Sequence, residues 1–463
     1  MPSIYGLLNI GRNSLMTQQK AIDITGNNIA NVNTPGYSRQ RLNMEQNKPV
    51  IYDGGQMSTG VKANRKIQRI YDRFLNAQIN GENEELGRWK AQKEILEKAE
   101  LMFDDASGYG LSSGMSQFWA SWQDLTNNPS GRVERVTLLA DSQNLTDTFN
   151  KLNYDLIELR KDADLSISTT VEQINPLTEQ IAALNLKIEE AESGGAHNAN
   201  DYRDKRDLLV KELSNLIDVQ SFEDGDGYMH IYTANGKTLV DKSFSWDLET
   251  SDNGSGYLGI YWVDNQGVQD EITSTISGGK LKGWIEARDT IVPDYLNRLD
   301  TLSSEIISQV NTQHRLGYSL DGTTTNQDFF TGTTAADMAV DNAIKADVNL
   351  IAAASTAASA PGDETNALAI VNLQHGLFVS GSTFDDYYGS IISDVGNNVA
   401  QSTTYHDHQE TMLSTLENYR EEVSGVSLDE EMVNLVQFQS AYQAAAKIIS
   451  TVDEMLDSLM TIV

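Results

Sequence analysis

The sequence predicts a mainly α protein, elongated and multidomain, with an inserted β domain and terminal helices that form a coiled-coil rod. Three patterns carry this. Apolar residues recur every seven positions at both ends of the chain, a long glycine-poor run from Val133 to Glu192 shows three-and-four spacing, and the stretch from Val219 to Ile276 switches to short alternating segments. Heptad helices at opposite ends of one chain pair most simply if the chain folds back on itself, which makes the middle segments insertions in a rod. The expected division is residues 1–40 with 425–463 as the terminal coiled coil, 41–218 with 283–424 as a helical domain carrying an irregular segment at 317–366, and 219–282 as the β domain.

The first thirty residues read as one amphipathic helix, because Leu8, Leu15, Ile22 and Ile29 repeat every seven residues with Ile4 and Val32 at the ends. The remaining seam positions, Gly11, Gln18 and Thr25, are small or polar, so the stripe is too narrow to hold a globular helix alone and suits a partner helix. Pro35 and Gly36 end it, since a residue before proline avoids the helical region and glycine supports a turn. Arg39 to Arg73 has eight basic and three acidic residues and reads as extended or irregular. Asn76 to Leu216 is helical in pattern; Pro176 is expected to interrupt it, and Gly194-Gly195 to form a loop before helical spacing resumes at Asp201.

Within 219–276, Met229-His230-Ile231-Tyr232 and Tyr257 to Trp262 alternate, and Asn235-Gly236 and Asn265-Gln266-Gly267 punctuate them, as hairpins that close a local core would require. Helix returns from Gly283 to His314. Gly317 to Thr334 reads as irregular, and Ala352 to Ala360 is compatible with helix or loop. A final helical block from Ala367 to Val463 is expected to break near Gly425. In its last part Leu435, Phe438, Tyr442, Ala445, Ile449, Val452, Leu456, Leu459 and Val463 alternate three and four without a miss, a coiled-coil seam. Ser427 with Glu430 forms a capping box at its start, and Asp429, Glu430 and Glu431 suit the positive end of the helix dipole.

Such a seam serves either an intramolecular core or contact between copies; a terminal hairpin has little else to pack on, so contact between copies is the favoured reading. The cluster Asn27, Asn28, Asn31 and Asn33 is either a fraying helix end or a set of amides for neighbouring subunits, the second being favoured. The candidate assembly interface is therefore Leu8, Leu15, Ile22 and Ile29 with Asn28 and Asn31, facing Leu435, Phe438, Tyr442, Ile449, Val452, Leu456 and Leu459.

Composition narrows the function classes. The chain has 463 residues and a formal charge of -32, which disfavours a general grip on nucleic acid or anionic membrane. The charge is uneven: residues 1–100 hold 14 Lys and Arg against 10 Asp and Glu, the remainder 20 against 56. There is no cysteine, so disulfides, thiolate metal sites and thiol nucleophiles are excluded. Met1-Pro2-Ser3-Ile4 lacks the start of a cleavable signal, and no window reaches the roughly 18 apolar residues of a membrane helix. No cofactor is expected. Glu223 to Gly227 lacks the spaced ligands of a calcium loop and reads as a turn, Gly278-Gly279-Lys280 lacks phosphate-loop spacing, and His406, His408 and Glu410 read as a solvated acidic helix rather than a metal site.

Asn28-Ile29-Ala30-Asn31-Val32-Asn33-Thr34-Pro35-Gly36-Tyr37 resembles the amino-terminal signature of the axial proteins of the flagellar rod, hook and junction, and Gly425 to Met432, continuing through Gln439 to Ala444 and Ile449 to Met455, is similar to their carboxyl-terminal signature. Phe118 to Leu139, Asn200 to Leu213 and Gly278 to Gly317 narrow the resemblance to the hook-associated protein 1 family. The resemblance implies a non-enzymatic subunit that joins the hook to the flagellin filament, exported unfolded through the flagellar type III channel and working outside the cell. Implied partners are further copies in a helical or ring-like layer, the hook protein, the second junction protein and an export chaperone, with no nucleic acid and no membrane insertion. It also implies an inner layer of terminal helices, a helical layer around it and outward-facing variable domains. The rivals are another axial protein, either the second junction protein or a flagellin, and an extracellular hydrolase built on the β domain.

Overall fold

The computed structural model describes residues 4–52, 55–57, 60–104, 110–193 and 198–462. Helix α1 (Ile4–Ala30) leads through a turn into β1 (Gln40–Gln46), β2 (Val50–Tyr52), β3 (Gly55–Met57) and β4 (Val61–Arg69). The segment expected to be extended or irregular is thus a long hairpin. β1 pairs antiparallel with β4, Gln40 opposite Arg69 and Gln46 opposite Val61, and β2 pairs with β3. A register shift between Leu42 and Met44 breaks the period-two pattern that would have revealed it, and small Ala63 stands among its inward residues.

The body follows as α2 (Arg73–Met102), α3 (Leu111–Asn127), α4 (Arg132–Glu192) and α5 (Asn200–Leu216). At 61 residues α4 is about 90 Å long, the spine of the molecule. Pro176 does not interrupt it, contrary to expectation: the proline lies on the exposed face, and so does Glu172, whose carbonyl loses its helical partner there and can bond to water instead. Gly194-Gly195 falls outside the described residues.

Strands β5 (Val219–Glu223), β6 (Met229–Thr233), β7 (Thr238–Asp241) and β8 (Phe244–Ser245) form a four-stranded antiparallel meander, and β9 (Leu248–Asp252), β10 (Leu258–Val263) and β11 (Gln269–Glu271) a three-stranded sheet. These hairpins do not close a core of their own. Ile231, Val240, Leu248 and Ile260 belong to one continuous cluster with Ile174, Ile181 and Ile188 of α4, because strands this short offer only one or two inward side chains each. Two asparagines of α4 act as strand partners. Asn185 donates to the carbonyls of Met229 (2.8 Å) and Lys242 (2.6 Å) and accepts from Met229 N–H (3.0 Å), while Asn175 exchanges two 2.9 Å bonds with the backbone of Leu248.

Helix α6 (Gly279–Glu286) begins ahead of the expected Gly283 and passes through a π turn, Ala287–Ile291, into α7 (Val292–His314). The turn points Arg288 inward to Asp164 and to the Leu258 carbonyl, both at 2.6 Å. Strands β12 (Phe330–Thr331) and β13 (Ala339–Val340) and helix α8 (Asn342–Ala346) lie in the stretch read as irregular, α9 (Thr365–Asn372) opens the expected final helical block, and Ala352 to Ala360 is loop. His314 anchors that loop: Nδ1 lies 2.7 Å from the Gln327 carbonyl, and Nε2 receives the Ala352 N–H at 2.9 Å. Phe118, Trp119, Trp122, Phe329 and Phe330 seal this end of the body. The 41-residue α10 (Phe384–Ser424) then runs back along α2, and beyond Gly425 the chain turns into α11 (Leu428–Ile462), which lies antiparallel to α1.

Candidate assembly interface

The terminal helices pair within the chain, Asn28 meeting Glu431 at one end and Gly11 meeting Ile449 further along. Gly11 is required by this approach, since a Cβ there would stand 2.9 Å from Ile449 Cγ1. The side of α1 that is buried consists of Gly11, Thr17, Ala21, Ile24, Thr25 and Asn28, so the pair is centred on small and polar positions. Leu8, Leu15, Ile22 and Ile29 are only half-buried, on its flank. On α11 the inward side holds buried Glu431, Ala445 and Val452 with half-buried Leu435, Phe438, Tyr442 and Ile449. Phe438 packs on Ala21, Ile24 and Leu42, which joins the hairpin to the rod. Leu456 is 37% exposed, and the side chain of Leu459 falls outside the described residues. The opposite side of α11 presents Val433 and Val436, 67% and 59% exposed, while the partly exposed Ile448 lies on the flank beside Gly11.

A polar clasp closes the rod where it meets the body. Asn28 is 1% exposed and its amide is fully bonded: Nδ2 donates to the Gln40 carbonyl (2.9 Å) and Glu431 Oε2 (3.0 Å), and Oδ1 accepts from Tyr37 O–H (2.9 Å) and Gln40 N–H (3.0 Å). Asn31 bonds to the carbonyl and side chain of Asn27 and accepts from Thr34, which shapes the turn after α1. Asn28 and Asn31, read as reaching neighbouring subunits, are therefore bonded inside the chain. Glu431, 2% exposed, is neutralised by Arg39, whose Nε lies 2.8 Å from Oε1, while Nη1 reaches Glu430 at 2.7 Å. Burial, then the carboxylates of Asp201, Asp204 and Glu431, push the Tyr37 hydroxyl well above its ordinary range, so it remains a donor to Asn28.

The clasp continues onto α5. Arg69 bridges Asp204 (2.9 Å) and Asp207 (2.7 Å) with its guanidinium 3.9 Å over the Tyr71 ring, and Asp204 also accepts the Ser38 N–H at 3.0 Å. Burial raises the Asp207 carboxyl despite the opposing pull of Arg69 and Arg206. Gly36, at φ +78°, takes the left-handed turn that brings Ser38 to Asp204. Sequence reading had quoted Tyr37, Glu431 and the Asp204–Asp207 stretch as signature residues without assigning them this role. It missed Arg39, Gln40 and Arg69, for which an excess of basic residues in 39–73 was the one available signal.

Elsewhere, Asp224 Oδ1 accepts the N–H groups of Asp226 and Tyr228, which makes Glu223 to Gly227 a turn. His406, Asp407 and Glu410 bring their ligand atoms within 4.8 Å of one another on α10, with His408 apart from them. Both carboxylates of that group are exposed. Among the described residues no helix is long and apolar enough to cross a membrane.

Comparison with known proteins places these features. Residues 96–330 match the family described as the flagellar hook-associated protein FlgK helical domain, residues 8–37 the flagella basal body rod protein family, and residues 418–462 the C-terminal family of flagellar basal body rod FlgEFG proteins. The last two hold the opposing halves of the rod. Flagellar hook-associated protein 1 of Bacillus subtilis (strain 168) is 30% identical over 501 residues, spanning 99% of this chain and 98% of that protein. Its counterpart from Escherichia coli (strain K12) is 27% identical over 547 residues, spanning 98% and 99%. The flagellar hook junction protein FlgK from Burkholderia pseudomallei shares the fold, with a TM-score of 0.66 at 15% identity over 75% of this chain and 100% of that one. With relatives matched from end to end, and with the rod signatures falling on the paired terminal helices, the chain belongs to the flagellar hook-associated protein 1 (FlgK) family.

Proposed function

We infer that this chain is a structural, non-catalytic subunit of the bacterial flagellum that joins the hook to the filament by building a layer of identical copies at the distal end of the hook. The observation that carries this reading is the rod. Both chain ends meet in one antiparallel pair, and that pair leaves apolar side chains uncovered, Leu8, Leu15, Ile22 and Ile29 half-buried along α1 and Val433 and Val436 exposed on α11. Apolar side chains left half open at a seven-residue repeat on a chain of net charge -32 suit contact with neighbouring rods. Of the candidate residues, Leu8, Leu15, Ile22 and Ile29 fit contact between subunits. Phe438, Ile449 and Val452 fit the rod's own pairing, and Asn28 and Asn31 fit the clasp.

The chain leaves the cell through the flagellar type III channel, with hook protein and the second junction protein as its axial neighbours and a chaperone holding α11 before export. A hydrolytic role has little support. His230, the histidine of the β region, is 8% exposed under the Phe222 ring and flanked by Asp224 and Asp241, which is a packed arrangement. The test is deletion of the gene followed by microscopy of the cell surface: hooks without filaments, with flagellin shed into the medium, are expected. Filaments of normal number and length would overturn the reading.

A further inference from the structure

An asparagine followed by glycine is chemically labile, because glycine has no side chain to shield its backbone nitrogen from the neighbouring amide carbon. The chain has three such steps, at Asn80, Asn235 and Asn253, and the fold treats them differently. Asn80 and Gly81 lie inside α2, where helical geometry commits the Gly81 N–H to the ladder. Asn235 is tied at both ends: Nδ2 donates to Thr275 Oγ1 at 2.7 Å, Oδ1 accepts from Thr233 Oγ1, and the Gly236 N–H is bonded to the Thr233 carbonyl at 2.8 Å. Asn253 stands in the exposed turn between β9 and β10, and among the described residues its side chain bonds through Oδ1 alone. Ser255 donates to that oxygen twice, from N–H at 3.0 Å and from Oγ at 2.6 Å, which draws the amide carbonyl across Gly254. The Gly254 N–H donates to Asp252 Oδ1 at 2.8 Å. Gly254 takes φ +83°, and a Cβ there would meet nothing within 4 Å, so the site is open.

We propose that this turn promotes deamidation of Asn253, with Asp252 as the base, the Gly254 nitrogen as the nucleophile and the two Ser255 donors as an oxyanion site. The Asp252 carboxylate takes the Gly254 N–H proton as the nitrogen bonds to Asn253 Cγ. Negative charge develops on Asn253 Oδ1, where both Ser255 donors already point. The tetrahedral centre collapses with cleavage of the Cγ–Nδ2 bond; Nδ2 takes the proton back from Asp252 and leaves as ammonia, and a cyclic imide remains. Water then opens the imide at either carbonyl. One opening gives aspartate, the other isoaspartate, in which the main chain runs through Cγ. The sum is amide plus water to carboxylic acid plus ammonia, with Asp252 regenerated and no oxidant, reductant or further reactant. Each event places a second carboxylate beside Asp252, so the turn distinguishes an old copy of the chain from a newly made one. The proposal is independent of the junction reading.

A fixed fold ordinarily slows such ring closure by holding the backbone out of the required geometry, so acceleration by folding is diagnostic. The full chain is incubated at neutral pH, folded in buffer and unfolded in urea, and then digested. Mass spectrometry follows the conversion of each asparagine and separates aspartate from isoaspartate. Asn253 should convert about tenfold faster in the folded chain than in urea, and about tenfold faster than Asn80 or Asn235 in the same folded sample. Asp252→Ala and Ser255→Ala should each lower the folded rate at Asn253 about tenfold, with circular dichroism and melting temperature unchanged because the turn is exposed. A folded rate equal to or below the rate in urea would overturn the proposal without reference to any variant. So would an undiminished rate in either variant.

Discussion

Aspartate at Ile449 and, in a separate variant, at Val436 distinguishes the side of α11 that α1 covers from the side left open. Ile449 is half-buried against Gly11, and full burial of an isoleucine is worth roughly 1.5 to 3 kcal/mol. Losing about half of that and bringing a carboxylate into the contact costs about 2 to 4 kcal/mol in total. A pair of helices standing apart from the main core has little stability to lose, so the rod should open while the body, with its own continuous core, is unaffected. Val436 is 59% exposed, and its replacement should change monomer stability by less than about 0.5 kcal/mol. Amide hydrogen exchange on the purified monomer reads the first effect, and binding to purified hook ends reads the second. Ile449→Asp should lose protection throughout α1 and α11, and Val436→Asp should keep that protection while binding hooks poorly. Had the seam served only contact between copies, the reading favoured from the sequence, Ile449→Asp would leave the monomer unchanged. Full protection in that variant would therefore refute the in-chain pairing argued here, and normal hook binding by Val436→Asp would refute the use of the open side.

Further expectations concern the clasp, the buried histidine and the β region. Asn28→Ala orphans the Gln40 N–H and one side of Glu431, at about 1 to 3 kcal/mol each; faster exchange at the start of α11 is expected, and exchange as slow as in the unaltered chain would show that the clasp does not hold the rod. Burial lowers the His314 pKa from 6.5 to about 4, so its stabilising contribution is complete above about pH 6.5 and is lost as the pH falls through about 4. That contribution is on the order of 3 kcal/mol, and urea denaturation across this range should show a slope that His314→Gln flattens; a slope the variant retains in full would assign it to other groups. Deleting 219–276 with a short linker should destabilise the body, because Ile174, Ile181 and Ile188 would lose their cover and Asn175 and Asn185 their strand partners. A deletion variant that melts like the full chain would restore the idea of a self-contained β domain.

Legibility in the sequence followed how local the determining interactions are. The heptads of α11, the three-and-four spacing of α4 and the Asn235-Gly236 turn of the meander depend on neighbours a few residues away, and those elements form where the pattern puts them. What the pattern did not show depends on distant partners. The hairpin's inward residues are few and interrupted by a bulge, so its alternation is weak until Phe438 and Ile24 supply the surface it packs on. Pro176 looked like a break because the cost of a proline is judged for a helix in isolation, whereas here the lost bond lies on the wet side of a long buried helix. The clasp joins Asn28 and Arg39 to Glu431 across the length of the chain, which no spacing rule within a window can reveal.

The inversion of α1 is the strongest reason to look beyond the single chain. A helix whose only partner is internal buries its large apolar side chains and exposes its small and polar ones. Here Gly11, Thr17, Thr25 and Asn28 are buried against α11 and the hairpin, while Leu8, Leu15, Ile22 and Ile29 are left half open at a strict seven-residue repeat. Small residues bring the two backbones close, which turns the leucine and isoleucine line to the flank of the pair. In a lone monomer this arrangement loses the burial those four side chains would contribute. In a layer of rods packed side by side the same four positions meet a neighbour, and a seven-residue repeat keeps them in register along a helix-to-helix contact. The sequence feature that first suggested a coiled coil thus fits two pairings at once, a close one inside the chain through small residues and a wider one between copies through the large ones.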